Sequence, residues 1–283
     1  MNNHRLLSSA VSLGSVLLLS ACGGTTVNGK LINSPGDFSG CGETPETCNS
    51  DVLQGVVARI EEDADSGNLT IRFFQMSDNG DSTVTYSDGQ KVFTFPEASN
   101  PATATNGTEI AYEWVMDYTA ITAIIFPESN ADYLSWALGF FGFQTDPNAV
   151  ATSGEAYYSG EAIAATSSGL GGSGSSTLYA DFEGSTAELI AVLNDGDISD
   201  FNVIYAPNMT IDGNTFTGNE VEFYDGLTPV DVTGANTSTA SAGMFFGIVD
   251  ENGYPAEYGA VLVSTGDNES VLLVAGGALD VGP

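Results

Sequence analysis

The stretch that decides the fold begins SGEAYYSGEA (residues 153–162) and continues to Ala278. Along it, apolar and polar side chains alternate in short runs, and Gly, Asn and Asp break these runs. Such alternation is typical of antiparallel hairpins, because neighbouring side chains of a strand point to opposite faces of the sheet. The runs predict eight strands: 154–166, 176–183, 186–194, 201–206, 208–224, 238–249, 257–264 and 270–278. Without crossover helices, they predict a closed antiparallel barrel, since closure removes exposed sheet edges.

The alternation also predicts which side chains face the barrel interior. The inward sets on two neighbouring strands are Leu178, Ala180 and Phe182, and then Ala187, Leu189, Ala191 and Leu193. On the first strand the inward positions carry small residues: Ala156, Gly160, Ala162 and Ala164. Small residues that alternate with Phe and Leu favour an interior filled by side chains over a ligand cavity of the lipocalin kind.

Five short segments follow one another along this stretch: TSGEAYYSG (152–160), LYADF (178–182), IDGNTFTG (211–218), MFFG (244–247) and EYGA (257–260). In their order and spacing they resemble the β-barrel domain of the transferrin-binding-protein-B-like surface lipoproteins of bacteria. The resemblance implies a flatter β-rich handle beside an eight-stranded barrel, and it corresponds to one lobe rather than a double-lobed receptor. The chain departs from the family at residues 248–254, where the family carries a compact Gly-Pro-type turn.

The N-terminal part of the chain is predicted to be a second β-rich unit. Short β-like runs occur at 52–60, 69–76, 83–86 and 91–95, with Gly, Asn and Asp turns between them. A loop over 97–108 and runs at 110–118, 120–126 and 133–143 follow; the last could also be a short helix leading into a strand. This gives four regions: a signal peptide (1–21), a flexible tether (22–50), a handle-like module (51–150) and the barrel (151–283).

The first residues of the chain have the pattern of an export signal. Arg5 precedes an apolar run from Leu6 to Leu19, and small residues lead up to Cys22. Cysteine directly after Leu-Ser-Ala predicts a bacterial lipoprotein cut before Cys22 and lipidated there; an ordinary signal peptide with an incidental cysteine is the alternative. Gly23 stands where an inner-membrane retention signal would carry Asp, which favours the outer membrane. Since a spanning helix needs about 20 apolar residues, acyl chains are the expected anchor.

The two remaining cysteines are Cys41 and Cys48. An even count in an oxidising compartment favours a disulfide that closes a small loop. A metal-binding pair is the alternative, but the spacing is poor for a metal and no third ligand is offered. Carboxylates at 195–200 could bind Ca²⁺ weakly, yet they lack EF-hand spacing, and solvated turn residues are favoured. No metal site and no cofactor are predicted.

The composition excludes several classes of function. A formal net charge of −32 opposes binding to nucleic acid or anionic lipid. The acids are spread through every turn, which favours adaptation to salty surroundings over a surface matched to a basic partner. The single histidine, His4, lies in the predicted signal peptide, so Ser-His-Asp systems, Cys-His systems and imidazole zinc sites are excluded. No carboxylate pair stands out, and we predict no catalytic activity.

Aromatic residues are concentrated just before the barrel, at Tyr112, Trp114, Tyr118, Tyr133 and Trp136. Exposed aromatic side chains on rigid strands are common recognition anchors, so these five are the ligand-binding candidates of the sequence. They are equally suited to packing between the module and the barrel, which is the favoured alternative.

These observations lead to a functional prediction. The resemblance implies display on the cell surface, capture of host iron or haem carriers in the best-known members, and export by an outer-membrane translocator that recognises the barrel. We predict a lipid-anchored outer-membrane protein that binds an unknown protein or small solute through loops of the module and the barrel rim. The alternatives are a structural, periplasm-facing envelope lipoprotein and a carbohydrate-active protein that uses carboxylates and aromatic rings.

Overall fold

The computed structural model describes residues 26–27, 29–30, 54–62, 69–78, 83–86, 91–94, 102–106, 109–127, 134–235 and 237–280. Within these ranges the protein is all-β, and every strand pairing is antiparallel. None of these residues belongs to a helix long and apolar enough to cross a membrane. Cys22, Cys41, Cys48 and Tyr133 lie outside the described residues, so the lipidation and the disulfide remain predictions.

Ten strands precede the barrel. Two short strands pair with each other, β1 (Thr26–Val27) and β2 (Gly29–Lys30), in a segment predicted to be a tether. The next eight are β3 (Gln54–Glu62), β4 (Leu69–Asp78), β5 (Thr83–Tyr86), β6 (Lys91–Thr94), β7 (Ala102–Asn106), β8 (Glu109–Val115), β9 (Thr119–Pro127) and β10 (Leu134–Gly142). They form one sheet, here called the handle sheet, in the order β6-β5-β4-β3-β10-β9-β8-β7.

The C-terminal strands form the closed barrel that the alternation predicts. They are β11 (Glu155–Thr166), β12 (Gly171–Asp181), β13 (Thr186–Gly196), β14 (Val203–Asp212), β15 (Thr215–Gly218), β16 (Glu222–Asp225), β17 (Thr228–Val230), β18 (Ser238–Val249), β19 (Pro255–Thr265) and β20 (Val271–Leu279). Eight of them form the ring β11-β12-β13-β14-β15-β18-β19-β20, and β20 pairs back to β11. The β16–β17 hairpin extends from β14.

Several predicted strand limits are wrong. The runs 201–206 and 208–224 are not two strands, because β14 continues through Pro207 and Asn208 as a bulge in which Asn208 has φ of 52°. A turn at Gly213 then leads into β15, and β16 is a separate strand. The predicted loop over 97–108 contains β7, and 133–143 contains a strand without a helix. The errors at 97–108 and at 207–208 arise where turn-forming or small polar residues occupy a strand.

The barrel interior is filled by side chains. Both predicted inward sets are buried, from Leu178 to Phe182 and from Ala187 to Leu193. At the end where the β12–β13 turn lies, aromatic rings pack against one another, with ring centroids of Phe182 and Phe245 5.7 Å apart and those of Phe216 and Phe245 5.1 Å apart. Small residues such as Ala156 and Ala180 leave room for these rings, as expected in a narrow eight-stranded barrel.

A second apolar core joins the handle sheet to the outer wall of the barrel. It contains, from the handle sheet, Ile121, Ala123, Leu138 and Phe140 and, from the barrel, Ile163, Ala165, Phe246, Val261, Val263, Leu272 and Val274. The rings of Phe140 and Phe246 meet edge to face across this junction at 5.8 Å. The handle sheet therefore covers one side of the barrel, formed by β11, β18, β19 and β20.

Candidate binding site

Two members of the predicted aromatic group, Trp114 and Tyr118, lie at the junction between the handle sheet and the barrel. Trp114 and Tyr118 are half-buried and pack against the junction core. Tyr112 is half-buried, and its ring centroid lies 6.1 Å from that of Trp114. Trp136 has its backbone in β10, opposite Ile125 of β9. Packing at the junction, the alternative favoured by the sequence, therefore holds for Trp114 and Tyr118.

A buried carboxylate ties the same junction together. Glu257 of β19 is 3% exposed, and it accepts hydrogen bonds from the backbone N–H groups of Asp117 (2.8 Å) and Tyr118 (3.0 Å). Burial raises the pKa of Glu257 to about 7, although the two backbone hydrogen bonds partly oppose the shift. Because no Lys, Arg or His follows Lys91 in the chain, no basic side chain of the barrel compensates this carboxylate.

The opposite end of the barrel from the β12–β13 turn carries its longer loops, 167–170, 197–202, 219–235 and 266–270, which we call the rim. Between them is an open cleft of about 410 Å³. Its lining includes the apolar residues Leu170, Ile198, Phe201, Val230 and Val232, and the carboxylates of Asp200, Asp231 and Glu269. Leu227, at the tip of the β16–β17 hairpin, is 97% exposed.

Hydrogen bonds between the rim loops hold the cleft in shape. Glu269 accepts hydrogen bonds from the hydroxyl of Ser167 and, at 2.9 Å, from the N–H of Ser168. Asn202 accepts a 2.7 Å bond from the N–H of Gly226, which ties the β16–β17 hairpin to the loop before β14. Such loops are organised before any ligand arrives, which lowers the entropic cost of binding. The rim is suited to a ligand with apolar groups at its centre and donors at its edge.

The possible metal ligands among the described residues are mainly carboxylates. No group of three or more His, Cys, Asp or Glu among them is placed to hold an ion. Among the carboxylates at 195–200, Asp195 accepts a 2.9 Å hydrogen bond from the backbone N–H of Gly196 in the turn.

The rim cleft was not identified from the sequence. Its apolar lining is divided among loops that are far apart in the chain, with Leu170 and Ile198 each flanked by polar residues or glycine. A signal was nevertheless present, because apolar residues in Gly- and Asp-rich loops have no strand core of their own to occupy.

Searches against known proteins give a structural likeness only. No protein-family model matches the sequence, and a search of curated proteins found no match. Among solved structures, the chain is similar to intact Ap-TbpB with its N and C lobes, at 19% identity and a TM-score of 0.52. It is similar to a double mutant of transferrin-binding protein B from Haemophilus parasuis, at 17% identity and a TM-score of 0.53. It is also similar to isotype 1 transferrin-binding protein B from serogroup B Neisseria meningitidis, at 16% identity and a TM-score of 0.52.

These matches cover 81%, 82% and 81% of this chain, but only 46%, 46% and 43% of the three solved chains. The chain thus spans less than half the length of these three structures. At such identities the likeness concerns the fold alone, and it agrees with the closed barrel and the preceding β-rich sheet described above. The chain has a fold like that of part of transferrin-binding protein B.

Proposed function

We propose that this protein is a lipid-anchored outer-membrane protein, displayed at the cell surface, that binds another protein without catalysing a reaction. The observation that carries the proposal is its transferrin-binding-protein-B fold. The similar protein from Haemophilus parasuis is a vaccine antigen, transferrin-binding protein B. The expected anchor is lipid on Cys22, and export through an outer-membrane translocator that recognises the barrel completes the proposal.

The filled barrel supports binding at an outer surface. Because side chains of the core cluster occupy the interior, a partner is expected to engage the loops instead. The rim offers an organised apolar cleft and the exposed side chain of Leu227, and such features are typical of sites that bind proteins. The handle sheet contributes Tyr112, whose half-buried ring remains available beside Trp114. Iron or haem carriers are the partner class that the family resemblance implies, and a small solute in the cleft is the alternative ligand.

Protease shaving of intact cells tests the location. A tag placed after Pro283 is followed by immunoblot, with lysed cells as the control for intrinsic protease resistance. We expect loss of the tag from intact cells, and its retention in a Cys22→Ser variant that stays unlipidated inside. Protection of the wild-type tag until the outer membrane is permeabilised would overturn surface display, and a structural role on the periplasmic side would then lead.

Affinity capture from the organism's natural medium tests the binding. The full chain is compared with Leu227→Asp at the rim and with Thr186→Asp at the opposite end of the barrel, where Thr186 is exposed. Both variants add one carboxylate. We expect Leu227→Asp alone to lose a captured protein by at least about tenfold, the effect of removing one anchor residue. Equal capture by both variants would exclude the rim as the binding surface.

A further inference from the structure

A row of large side chains lies on the outer face of the barrel, on β11 to β14 and β16. We call this row the tyrosine wall, and it consists of Tyr157, Tyr179, Ile190, Tyr205 and Tyr224. Each member follows or precedes a buried inward residue, as Tyr157 precedes Tyr158 and Tyr224 follows Phe223. The outward orientation therefore follows from the pleat of the strands.

The strand register makes the row continuous. Tyr157 lies opposite Tyr179, and Tyr179 lies opposite Glu188. Ile190 lies opposite Tyr205, which in turn lies opposite Glu222. Directly opposed residues in antiparallel pairs have their Cβ atoms about 4.5–5.5 Å apart, so these side chains contact one another. The wall is thus one surface that spans five strands.

The tyrosine wall is not covered by the handle sheet. The junction core uses the other side of the barrel, on β18, β19, β20 and the second half of β11, where Ile163 is buried. Tyr157 is 51% exposed and Ile190 is 41% exposed. Among the described residues, these two large hydrophobic side chains are exposed on a regular strand rather than in a loop, which marks the surface as one that a partner can cover.

Carboxylates accompany the rings. The phenol of Tyr205 donates a 3.0 Å hydrogen bond to Glu188, and the phenol of Tyr224 donates one to Glu222. The pKa of Tyr179 is raised to about 12, mainly by partial burial and also by a hydrogen bond to Glu155. The rings of Tyr157 and Tyr179 lie 5.0 Å apart between centroids. The wall therefore presents ring faces next to carboxylate groups.

No basic residue of the barrel compensates the charge of this surface. No Lys, Arg or His occurs between Lys91 and the last residue of the chain, so no basic side chain within residues 92–283 can pair with Glu155, Glu188 or Glu222. A neutral ligand laid over them would remove water from the carboxylates without replacing it by an opposite charge, which is unfavourable. A cationic ligand supplies that charge.

We propose that the tyrosine wall binds a basic segment of a partner protein, whose arginine side chains lie on the tyrosine rings and pair with Glu188 and Glu222. Arginine can interact with both the tyrosine rings and the carboxylates, since its planar guanidinium stacks on aromatic rings and forms bidentate hydrogen bonds to carboxylates. A lysine ammonium is a compact, strongly hydrated charge that stacks less well. The proposal stands on the wall alone and not on surface display or on the rim, so its test can fail while the proposed function holds.

The first test titrates the full chain with a fluorescent nonaarginine peptide and, separately, a nonalysine peptide. The Tyr157→Ser/Tyr179→Ser double variant removes two rings without changing the charge. Its control, Asn148→Ser/Asn252→Ser, shortens two exposed polar side chains in turns outside the wall and the rim, also at constant charge. We expect tighter binding of nonaarginine than of nonalysine, and binding of nonaarginine weakened by about tenfold in the tyrosine variant alone. Equal affinities of both variants for nonaarginine would overturn the proposal.

The second test keeps the rings and removes the carboxylates, so it remains valid if loss of two tyrosines prevents folding. Glu188→Gln/Glu222→Gln is compared with Glu183→Gln/Glu251→Gln, which makes the same charge change in exposed turns. We expect a fall of about fivefold or more in nonaarginine affinity for the first pair and less than twofold for the second. Equal falls would mean that the peptide senses net charge only, and would overturn the proposal. A titration with neutral cellohexaose that depended on Tyr157 and Tyr179, with no such dependence for nonaarginine, would assign the wall to carbohydrate instead.

Discussion

Glu257 shows what a single residue does at the junction between the two sheets. The carboxylate is buried, it has no basic partner from the barrel, and it accepts two backbone N–H groups of the turn at 117–118. Those N–H groups would otherwise lack partners at the start of β9, and an unpaired buried N–H costs about 1–3 kcal/mol. The same burial raises the pKa of Glu257, so the junction gains a group that titrates near neutral pH.

We expect the stability of the protein to depend on Glu257 between pH 4.5 and 7. Its pKa is about 7 in the folded protein against an ordinary value of 4.5, so the folded state binds more protons in this window. Stability from this group therefore increases as pH falls from 7 towards 4.5 and is lost as pH rises. Across this window, Glu257 changes the free energy of unfolding by on the order of 3 kcal/mol, at about 1.4 kcal/mol per pKa unit. Urea unfolding at pH 5 and pH 8 measures this change in the free energy of unfolding.

The comparison for this prediction is Glu257→Gln, which cannot titrate. Wild type should gain stability over Glu257→Gln on moving from pH 8 to pH 5. Glu251→Gln, in the exposed turn between β18 and β19, should follow wild type at both values. Parallel pH profiles for wild type and Glu257→Gln would contradict the assignment.

Two buried tyrosines inside the barrel allow a matched test of hydroxyl satisfaction. The hydroxyl of Tyr258 donates a 2.7 Å hydrogen bond to Ser176, whereas the buried hydroxyl of Tyr158 has no hydrogen-bond partner among the described residues. The two rings lie 5.8 Å apart in the same core, so packing is comparable. We expect Tyr258→Phe to lower the free energy of unfolding by about 1 kcal/mol, and Tyr158→Phe to leave it unchanged or raise it. Equal losses in urea midpoint would show that Tyr158 has an unrecognised partner.

At the scale of a strand, the pairing of β12 with β13 depends on Gly174. The register shifts between Ser173 and Gly174, and a Cβ atom on Gly174 would lie 1.9 Å from the carbonyl oxygen of Val192. On Gly172, two residues earlier, the nearest atom would be 3.3 Å away. We expect Gly174→Ala to lower the free energy of unfolding by about 1–3 kcal/mol, because the strands must separate. Gly172→Ala is the control and should lower the free energy of unfolding by much less. Denaturant unfolding of both variants measures the difference.

The strands that were predictable are those in which side chains alternate. Leu178 to Phe182 and Ala187 to Leu193 are inward because one face of each strand is apolar. The start of β12 was not predicted, since three of the four residues from Gly171 to Gly174 are glycines and leave no side-chain alternation. β14 was split at Pro207 and Asn208 because residues of these types usually end a strand, whereas here they form a bulge.

The candidate sites were less predictable than the strands that carry them. Tyr157, Tyr179 and Tyr205 all lie on predicted strands, but joining them into one wall requires the cross-strand register. Bulges at Asn208 and near Gly174 shift that register, and at the first of them Ala206 and Pro207 are both buried, which interrupts the alternation. The junction role of Trp114 likewise depends on which side of the barrel the handle sheet covers, which is a property of the assembled fold.

For the molecule as a whole, charge is the dominant feature outside the core. The formal net charge is −32, and the segment that forms the barrel contains no basic residue. Like charges of this number repel one another and destabilise the compact state, and salt reduces this effect by shortening the Debye length from about 10 Å at 0.1 M to about 3 Å at 1 M. A protein of this kind is expected to be more stable in salty surroundings than in dilute buffer.

We therefore expect the thermal midpoint at pH 7 to rise by about 3–8 °C between 0.1 M and 1 M NaCl, equivalent to roughly 1–2 kcal/mol for a chain of this size. Calorimetry at pH 4 provides the control, because many carboxylates are then protonated and the repulsion is already reduced. The salt effect should shrink there by about half or more, while any effect of NaCl on apolar surfaces would be unchanged. An equal rise at both pH values would show that salt acts through apolar burial and not through the acids.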